Sequence, residues 1–312
     1  MGPRRLPVPD PLFVIGCARS GTTLLADLLG RHTRLVVVPE WPITSGHPIP
    51  PDVARGRSLG LSERAKLVPW GVSESEFVAA VADGSVASAM AALVYRYLGH
   101  DQAPVYWVDH TPTHVECVPA LLDAFPAARF VHMVRDPRAV VASILKVDWG
   151  PEAALPAARW WNAEVASGLA AETLNGALRV RYEDLVDDPE REVGRVFAHL
   201  ALPYEEGGGG GGYSVPDYSR AQHALVGGPL VAARKEAWKF TLTTRDVRRV
   251  ERETAGLMRL FGYRPVEEPS YQREFGSELR SAGRDSILRV GSRWRRRLRL
   301  VRLARPHSDG RS

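Results

Sequence analysis

Cysteine is scarce in this 312-residue chain: Cys17 and Cys117 stand alone. Two such residues, far apart and outside any Cys-x-x-Cys or Cys/His cluster, exclude a disulfide scaffold, predict no metal site and suit a reducing compartment. No apolar run approaches the ~20 residues that a membrane span requires. The opening Met-Gly-Pro-Arg-Arg-Leu-Pro lacks the apolar stretch of a secretory signal, so a cytoplasmic protein is expected. There is no Gly-x-Ser-x-Gly elbow of the kind hydrolases use, and no internal repeat. Most of the chain also lacks an excess of charge. Of 41 basic and 36 acidic residues, 276–312 takes 11 arginines and 3 acids, so 1–275 holds 30 against 33. The net charge of +5 therefore belongs to the tail. No nucleic-acid partner is expected, and any anion recognition must rest on individual arginines.

What is present is ordinary for a globular protein: 45% apolar and 25% charged residues. The length suits one α/β domain with additions. Pro11 to Gly16 is a short apolar run ending in glycine, followed by Arg19-Ser-Gly-Thr-Thr23 and a helical pattern through Leu24, Leu25, Leu28 and Leu29, which reads as strand, tight loop, helix. Further strands are predicted at 34–38, 105–109, 129–134 and 177–182, with loop over 44–60. Helices are predicted at about 62–68, 74–83, 86–98, 114–124, 136–146, 153–175, 189–200 and 244–261. Six glycines at 207–212 read as a mobile loop. Strands alternating with helices imply a parallel sheet covered on both faces.

Two segments carry chemistry. In the first, Gly16, Cys17, Ala18, Arg19, Ser20, Gly21, Thr22 and Thr23 turn a strand into a helix, so successive backbone N–H groups can face a phosphate at the helix N-terminus. The pattern nearly fits the phosphate loop Gly-x4-Gly-Lys-Ser/Thr, but position 22 is threonine and the cation lies earlier, at Arg19. Loss of that lysine argues against a triphosphate hydrolase. In the second, Arg135 leaves the C-terminal end of a strand, Asp136 and Pro137 open a helix, and Ser143 lies two turns along the same face. Both side chains can approach one anion, though Arg-Asp-Pro is also a common helix start with a local ion pair.

Together these segments resemble the sulfotransferase family that uses 3′-phosphoadenylyl sulfate (PAPS), in its bacterial and tyrosylprotein-like branches. Thr111-Pro112, Phe125 to Phe130, Arg181-Tyr-Glu-Asp-Leu185 with Pro189, and Leu260-Phe-Gly-Tyr263 extend the likeness over about 12–263. The resemblance implies a P-loop-like α/β fold, a single domain over 12–264 after an extension at 1–11, PAPS as co-substrate and no metal. It implies that Arg19, Ser20, Gly21, Thr22 and Thr23 hold the 5′-phosphosulfate, Arg19 stabilising the leaving phosphate, and that Arg135 and Ser143 hold the 3′-phosphate. Tyr182 matches a nucleotide-contacting tyrosine, or is a core aromatic. Arg234 and Lys235 occupy the late region that supplies further cations.

Two residues are candidates for the base. Glu40, after the second strand, takes the place of the catalytic glutamate in the tyrosylprotein-like branch, and a strand-end carboxylate beside Trp41 suits proton uptake. His110 stands where many relatives carry lysine, and imidazole titrates near neutrality. Glu40 ranks first. Trp160 and Trp161 read as core. The competing readings are a phosphate-loop kinase-like nucleotide-binding protein and a non-catalytic anion-binding protein on the same scaffold. The acceptor expected is a small-molecule alcohol or phenol.

After about Pro265 the family pattern stops. Ile287, Val290, Trp294, Leu298 and Val301 recur at helical spacing among arginines within the 265–312 tail, the pattern of a basic amphipathic helix able to lie on an anionic membrane, or of a solvated tail.

Overall fold

A computed structural model of the chain describes residues 9–43, 48–82, 85–99, 105–205, 211–217, 219–220 and 232–266. The predicted tail helix, and all of the glycine run except Gly211 and Gly212, lie outside the described residues.

Five strands, β1 (Asp10–Ile15), β2 (Leu35–Val37), β3 (Tyr106–Asp109), β4 (Arg129–Val134) and β5 (Leu178–Arg181), form one sheet in the order β2-β3-β1-β4-β5. All four pairings are parallel. The central strand shows why both faces must be covered. Leu12 and Val14 enter one apolar cluster while Phe13 and Ile15 enter another, and all four are fully buried. Register fixes the useful edge: Phe13 faces Asp109 and Ile15 faces His132, so the loops leaving β1, β3 and β4 rise side by side. The chain moves to one side of β1 for β2 and β3 and to the other for β4 and β5. The crevice where the order reverses is the usual ligand position in such sheets.

The helices are α1 (Thr22–Leu29), α2 (Pro51–Ala54), α3 (Leu61–Leu67), α4 (Glu74–Val81), α5 (Val86–Leu98), α6 (Val118–Ala124), α7 (Pro137–Ile144), α8 (Ala154–Asn175), α9 (Tyr182–Asp187), α10 (Pro189–His199) and α11 (Thr244–Leu260). Three expectations need correction. Part of 44–60 is helical, because Pro51 sits at the first turn of α2, where its missing N–H costs nothing. The helix expected over 114–124 is broken at Cys117 into a 3-10 turn, Pro112–Glu116, and α6, with Pro119 restarting the chain in the first turn. Tyr182 does not end a strand but begins α9. The far end of the glycine run is also held: Gly212 N–H donates to the Gly30 carbonyl at 3.2 Å, and Tyr213 N–H donates to Asp27 Oδ1 at 2.9 Å.

Other expectations agree closely. The Asp136 side chain caps α7 by accepting from Arg138 N–H at 2.8 Å. Trp161 is fully buried, and its indole N–H donates to the Arg135 carbonyl at 3.1 Å. Tyr263 is tied back to α9: its Oη donates to Glu183 Oε2 at 2.7 Å beneath the Arg181 guanidinium.

Candidate active site

The loop between β1 and α1 is shaped by two glycines. Gly16 has φ +141°, and a Cβ there would lie 2.3 Å from the Met133 carbonyl oxygen of β4. Gly21, the residue before α1, has φ +100°, and its Cβ would lie 2.7 Å from the Tyr182 ring. Only glycine lets the loop lie this close to β4 and α9. Between them Arg19 takes φ +74°, rare for a residue with a side chain. Ser20, Thr22 and Thr23 are buried, and Ser20 Oγ has no hydrogen-bond partner among the described residues. A buried hydroxyl left over beside a helix N-terminus, in a cradle too tight for a Cβ, fits a phosphoryl or sulfuryl oxygen.

The second segment meets this loop. Arg19 Nε donates to Ser143 Oγ on α7 at 3.1 Å, and Arg135 NH1 donates to the Arg19 carbonyl at 3.0 Å. The Arg135 guanidinium lies 3.9 Å above the Tyr182 ring, and its NH2 donates to the Arg234 carbonyl at 3.2 Å. Tyr182 is thus a buried shelf between Gly21 and Arg135. Burial, then the adjacent Arg135 charge, pulls the Arg19 guanidinium below its ordinary value; Arg234 adds to this and Glu40 opposes it. Cations gathered in partial burial, with Arg19 in a strained conformation, suit an anion. Lys235 does not point the same way: its ammonium pairs with Asp187 on α9. Arg234 and Lys235 lie in a 3-10 turn, Ala232–Lys235, joined to a second, Ala237–Phe240. Trp238 of that second turn lies under Arg138, which is itself paired with Asp136 and Glu251.

Across the crevice, the loop after β2 carries Glu40. Val38 N–H still donates to Val108 at 3.0 Å, Trp41 N–H donates to Thr111 Oγ1 at 2.7 Å, and Trp70 Nε1 donates to the Glu40 carbonyl at 3.1 Å. Glu40 Oε1 lies 4.0 Å from His110 Nδ1, and Oε2 accepts from Lys66 Nζ at 2.9 Å. The two candidate bases are therefore neighbours. His110 is 1% exposed and packs edge-on against Tyr213, with ring centroids 4.6 Å apart. Burial pushes its imidazole below the ordinary range, against the pull of Glu40 and Asp109 and with the push of Lys66. Asp109 beneath it accepts from Thr111 N–H at 2.7 Å and lies 3.2 Å from His114. Burial opposes its charge, yet His114 and that N–H hold it below the usual carboxylate range.

Lys66, Tyr213 and Asp109 were not singled out in the sequence. Lys66 sits in an unremarkable helix and Tyr213 follows a glycine run; neither has a local pattern. Asp109 closes β3 immediately before His110-Thr-Pro112, so its place was visible although its role was not. No group of His, Cys, Asp and Glu able to hold a metal occurs among the described residues.

Residues 11–206 match the model of the family described as the sulfotransferase family. The chain belongs to that family. It is 29% identical over 221 residues to Nodulation protein NoeE of Sinorhizobium fredii, covering 62% of this chain and 50% of that protein. It is 25% identical over 285 residues to Protein-tyrosine sulfotransferase 1 of Danio rerio, covering 84% of this chain and 75% of that one. The chain thus spans half the length of the first relative and three-quarters of the second. Among solved structures, the sulfotransferase domain of the Synechococcus PCC 7002 olefin synthase superposes with a TM-score of 0.59 at 22% identity, over 84% of this chain and 98% of that domain. The sulfotransferase domain of the curacin biosynthetic pathway gives 0.57 at 18% identity, over 83% and 99%. These two likenesses establish the fold: a parallel sheet flanked by helices in a single P-loop-like domain.

Proposed function

We propose that the protein transfers a sulfuryl group from PAPS to a hydroxyl of a small-molecule acceptor, with amines second, and releases adenosine 3′,5′-bisphosphate. The observation that supports this most is the meeting of Arg19, Ser143 and Arg135 at the crevice, because a donor with a 5′-phosphosulfate and a separate 3′-phosphate needs two anion subsites served by one set of cations. Ser20, Gly21, Thr22 and Thr23 would hold the 5′ group. Arg135, Ser143 and Arg234 would hold the 3′-phosphate, with Tyr182 as the shelf, and Lys235 would join them only by leaving Asp187.

The chemistry asks little covalent participation of the protein. The acceptor oxygen attacks sulfur and an O–S bond forms. The acceptor's proton passes to Glu40. The bond from sulfur to the 5′-phosphate oxygen breaks, and its electron pair leaves with that oxygen, where Arg19 stabilises the charge. His110, neutral in its buried position, orients the acceptor or the sulfuryl oxygens rather than carrying charge.

Calorimetric titration of the full chain tests the reading. Adenosine 3′,5′-bisphosphate is expected to bind and ATP to bind far more weakly; tight ATP binding without bisphosphate binding would favour a kinase-like protein and overturn it. Among the described residues no helix is long and apolar enough to cross a membrane. A cytoplasmic enzyme whose arginine-rich tail touches anionic membrane is part of the same proposal. Equal pelleting with anionic liposomes of the full chain and of a chain ending at Phe275 would remove the membrane contact.

A further inference from the structure

His110, immediately after β3, is 1% exposed, yet neither of its ring nitrogens has a hydrogen-bond partner among the described residues. Glu40 Oε1, 4.0 Å from Nδ1, is beyond hydrogen-bond reach. Two orphaned nitrogens on one buried imidazole point to a ligand group that would satisfy them. Against the imidazole lies Tyr213, edge-on with ring centroids 4.6 Å apart and itself buried. That ring is anchored from the helix that opens on the phosphate loop. Tyr213 N–H donates to Asp27 Oδ1 on α1 at 2.9 Å, and Asp27 Oδ2 accepts from Arg31 at 3.1 Å. Gly212 makes the approach possible: its φ is +67°, and a Cβ there would lie 2.8 Å from Asp27 Oδ1. The Tyr213 ring then joins the apolar cluster that holds Leu25, Leu29 and Val108.

We propose that Tyr213 is a specificity-determining residue for the acceptor: fixed to α1 through Asp27, its ring bounds the approach to His110 and so limits the size of the acceptor that reaches it. The inference rests on the sulfuryl-transfer reading given above, in which His110 orients the acceptor or the sulfuryl oxygens. Tyr213 itself gives up no proton and forms no bond. Burial, and after it Glu40, Tyr97 and Asp109, raises the Tyr213 phenol, so the side chain stays neutral beside the site. A wall of this kind discriminates by the carbons it excludes, each worth roughly ten- to two-hundredfold in kcat/KM. Because α1 also begins at the phosphate loop, one helix sets both the donor's cradle and the acceptor's wall.

The test uses the full chain and has two readouts. The first is modification of His110 by diethyl pyrocarbonate, followed by peptide mass spectrometry. The rate is expected to be low in the parent and in Tyr213→Phe, and to rise about tenfold or more in Tyr213→Ala and in Tyr213→Val, measured beside it in case one variant folds poorly. Asp27→Ala is expected to act in the same direction. His132, fully buried on β4, reports folding in the same digest and is expected to stay protected. The second readout is competition among phenol, 2-naphthol, ethanol and 1-octanol for sulfuryl transfer from PAPS, which gives ratios of kcat/KM directly. The ratio of larger to smaller products is expected to rise about tenfold or more in Tyr213→Ala and to hold in Tyr213→Phe. A His110 no more reactive in Tyr213→Ala than in the parent overturns the inference, as does an unchanged product ratio. Equal loss of protection at His110 and His132 in both truncated variants also overturns it, by marking Tyr213 as merely structural. No sulfated product from the parent or any variant would instead strike the reading of transfer to small acceptors, whatever the reactivity of His110.

Discussion

Arg19 Nε donates to Ser143 Oγ at 3.1 Å, joining two residues 124 positions apart in sequence. Arg19 reaches Ser143 from a left-handed backbone, φ +74°, a conformation that costs on the order of 1–3 kcal/mol and persists only where its surroundings enforce it. The bond links the loop after β1 to α7, so the two proposed anion subsites would act as one unit.

Breaking that unit has graded consequences. Ser143→Ala removes a hydrogen bond of about 1 kcal/mol and should weaken bisphosphate binding roughly fivefold. Arg19→Ala removes charge-assisted bonds of about 1.5–3 kcal/mol and should lower kcat/KM roughly ten- to hundredfold. Wild-type turnover in Arg19→Ala would contradict the role given to it.

Gly21→Ala should cost both stability and binding. The new Cβ meets the Tyr182 ring at 2.7 Å, and φ of +100° disfavours any side chain. A loss of about 1–3 kcal/mol in urea denaturation is expected, with weaker bisphosphate affinity as Tyr182 shifts beneath Arg135. Gly16→Ala should be worse, because its obstacle is the Met133 backbone carbonyl, which cannot swing aside.

The two candidate bases are separable by substitution. Glu40→Gln should lose about 10²-fold or more in kcat while still binding the bisphosphate. His110→Ala should lose less, since its imidazole is buried and held neutral. Full activity in Glu40→Gln together with loss in His110→Ala would reverse the order.

Stability should carry an alkaline signature from Glu164 on α8. Burial, and then the adjacent Glu116 carboxyl, pushes the Glu164 carboxyl up to about 9. In the unfolded chain it ionises above about pH 4.3. Between those values the unfolded state binds fewer protons, so this group lowers folding stability as pH rises from about 4 towards 9. Glu164→Gln should therefore be more stable than the parent at pH 8, by on the order of 1 kcal/mol or more, with the difference vanishing near pH 4. Identical pH dependence in chemical denaturation of the two proteins would refute the assignment.

The sequence by itself determined the alternation of strands and helices, the glycine-framed loop and the cap at Asp136. All of these are local signals: apolar period and turn chemistry. Fold and family were legible for that reason. The boundaries that failed were those where proline chemistry acts within a few residues, at Pro51 and Pro119, and at Tyr182, where a strand passes into a helix with no intervening turn.

Only the tertiary structure decided which side chains share the site. Parallel register placed the ends of β1, β3 and β4 at one edge, and from that followed the contact of Glu40 with His110, the fastening of Glu40 by Lys66, the covering of His110 by Tyr213, the Tyr182 shelf, and the diversion of Lys235 to Asp187. A lysine in a short polar helix looks the same in sequence whether it faces water or a carboxylate. The difference lies in where α3 comes to rest beside the loop after β2, a long-range relation that no local pattern records.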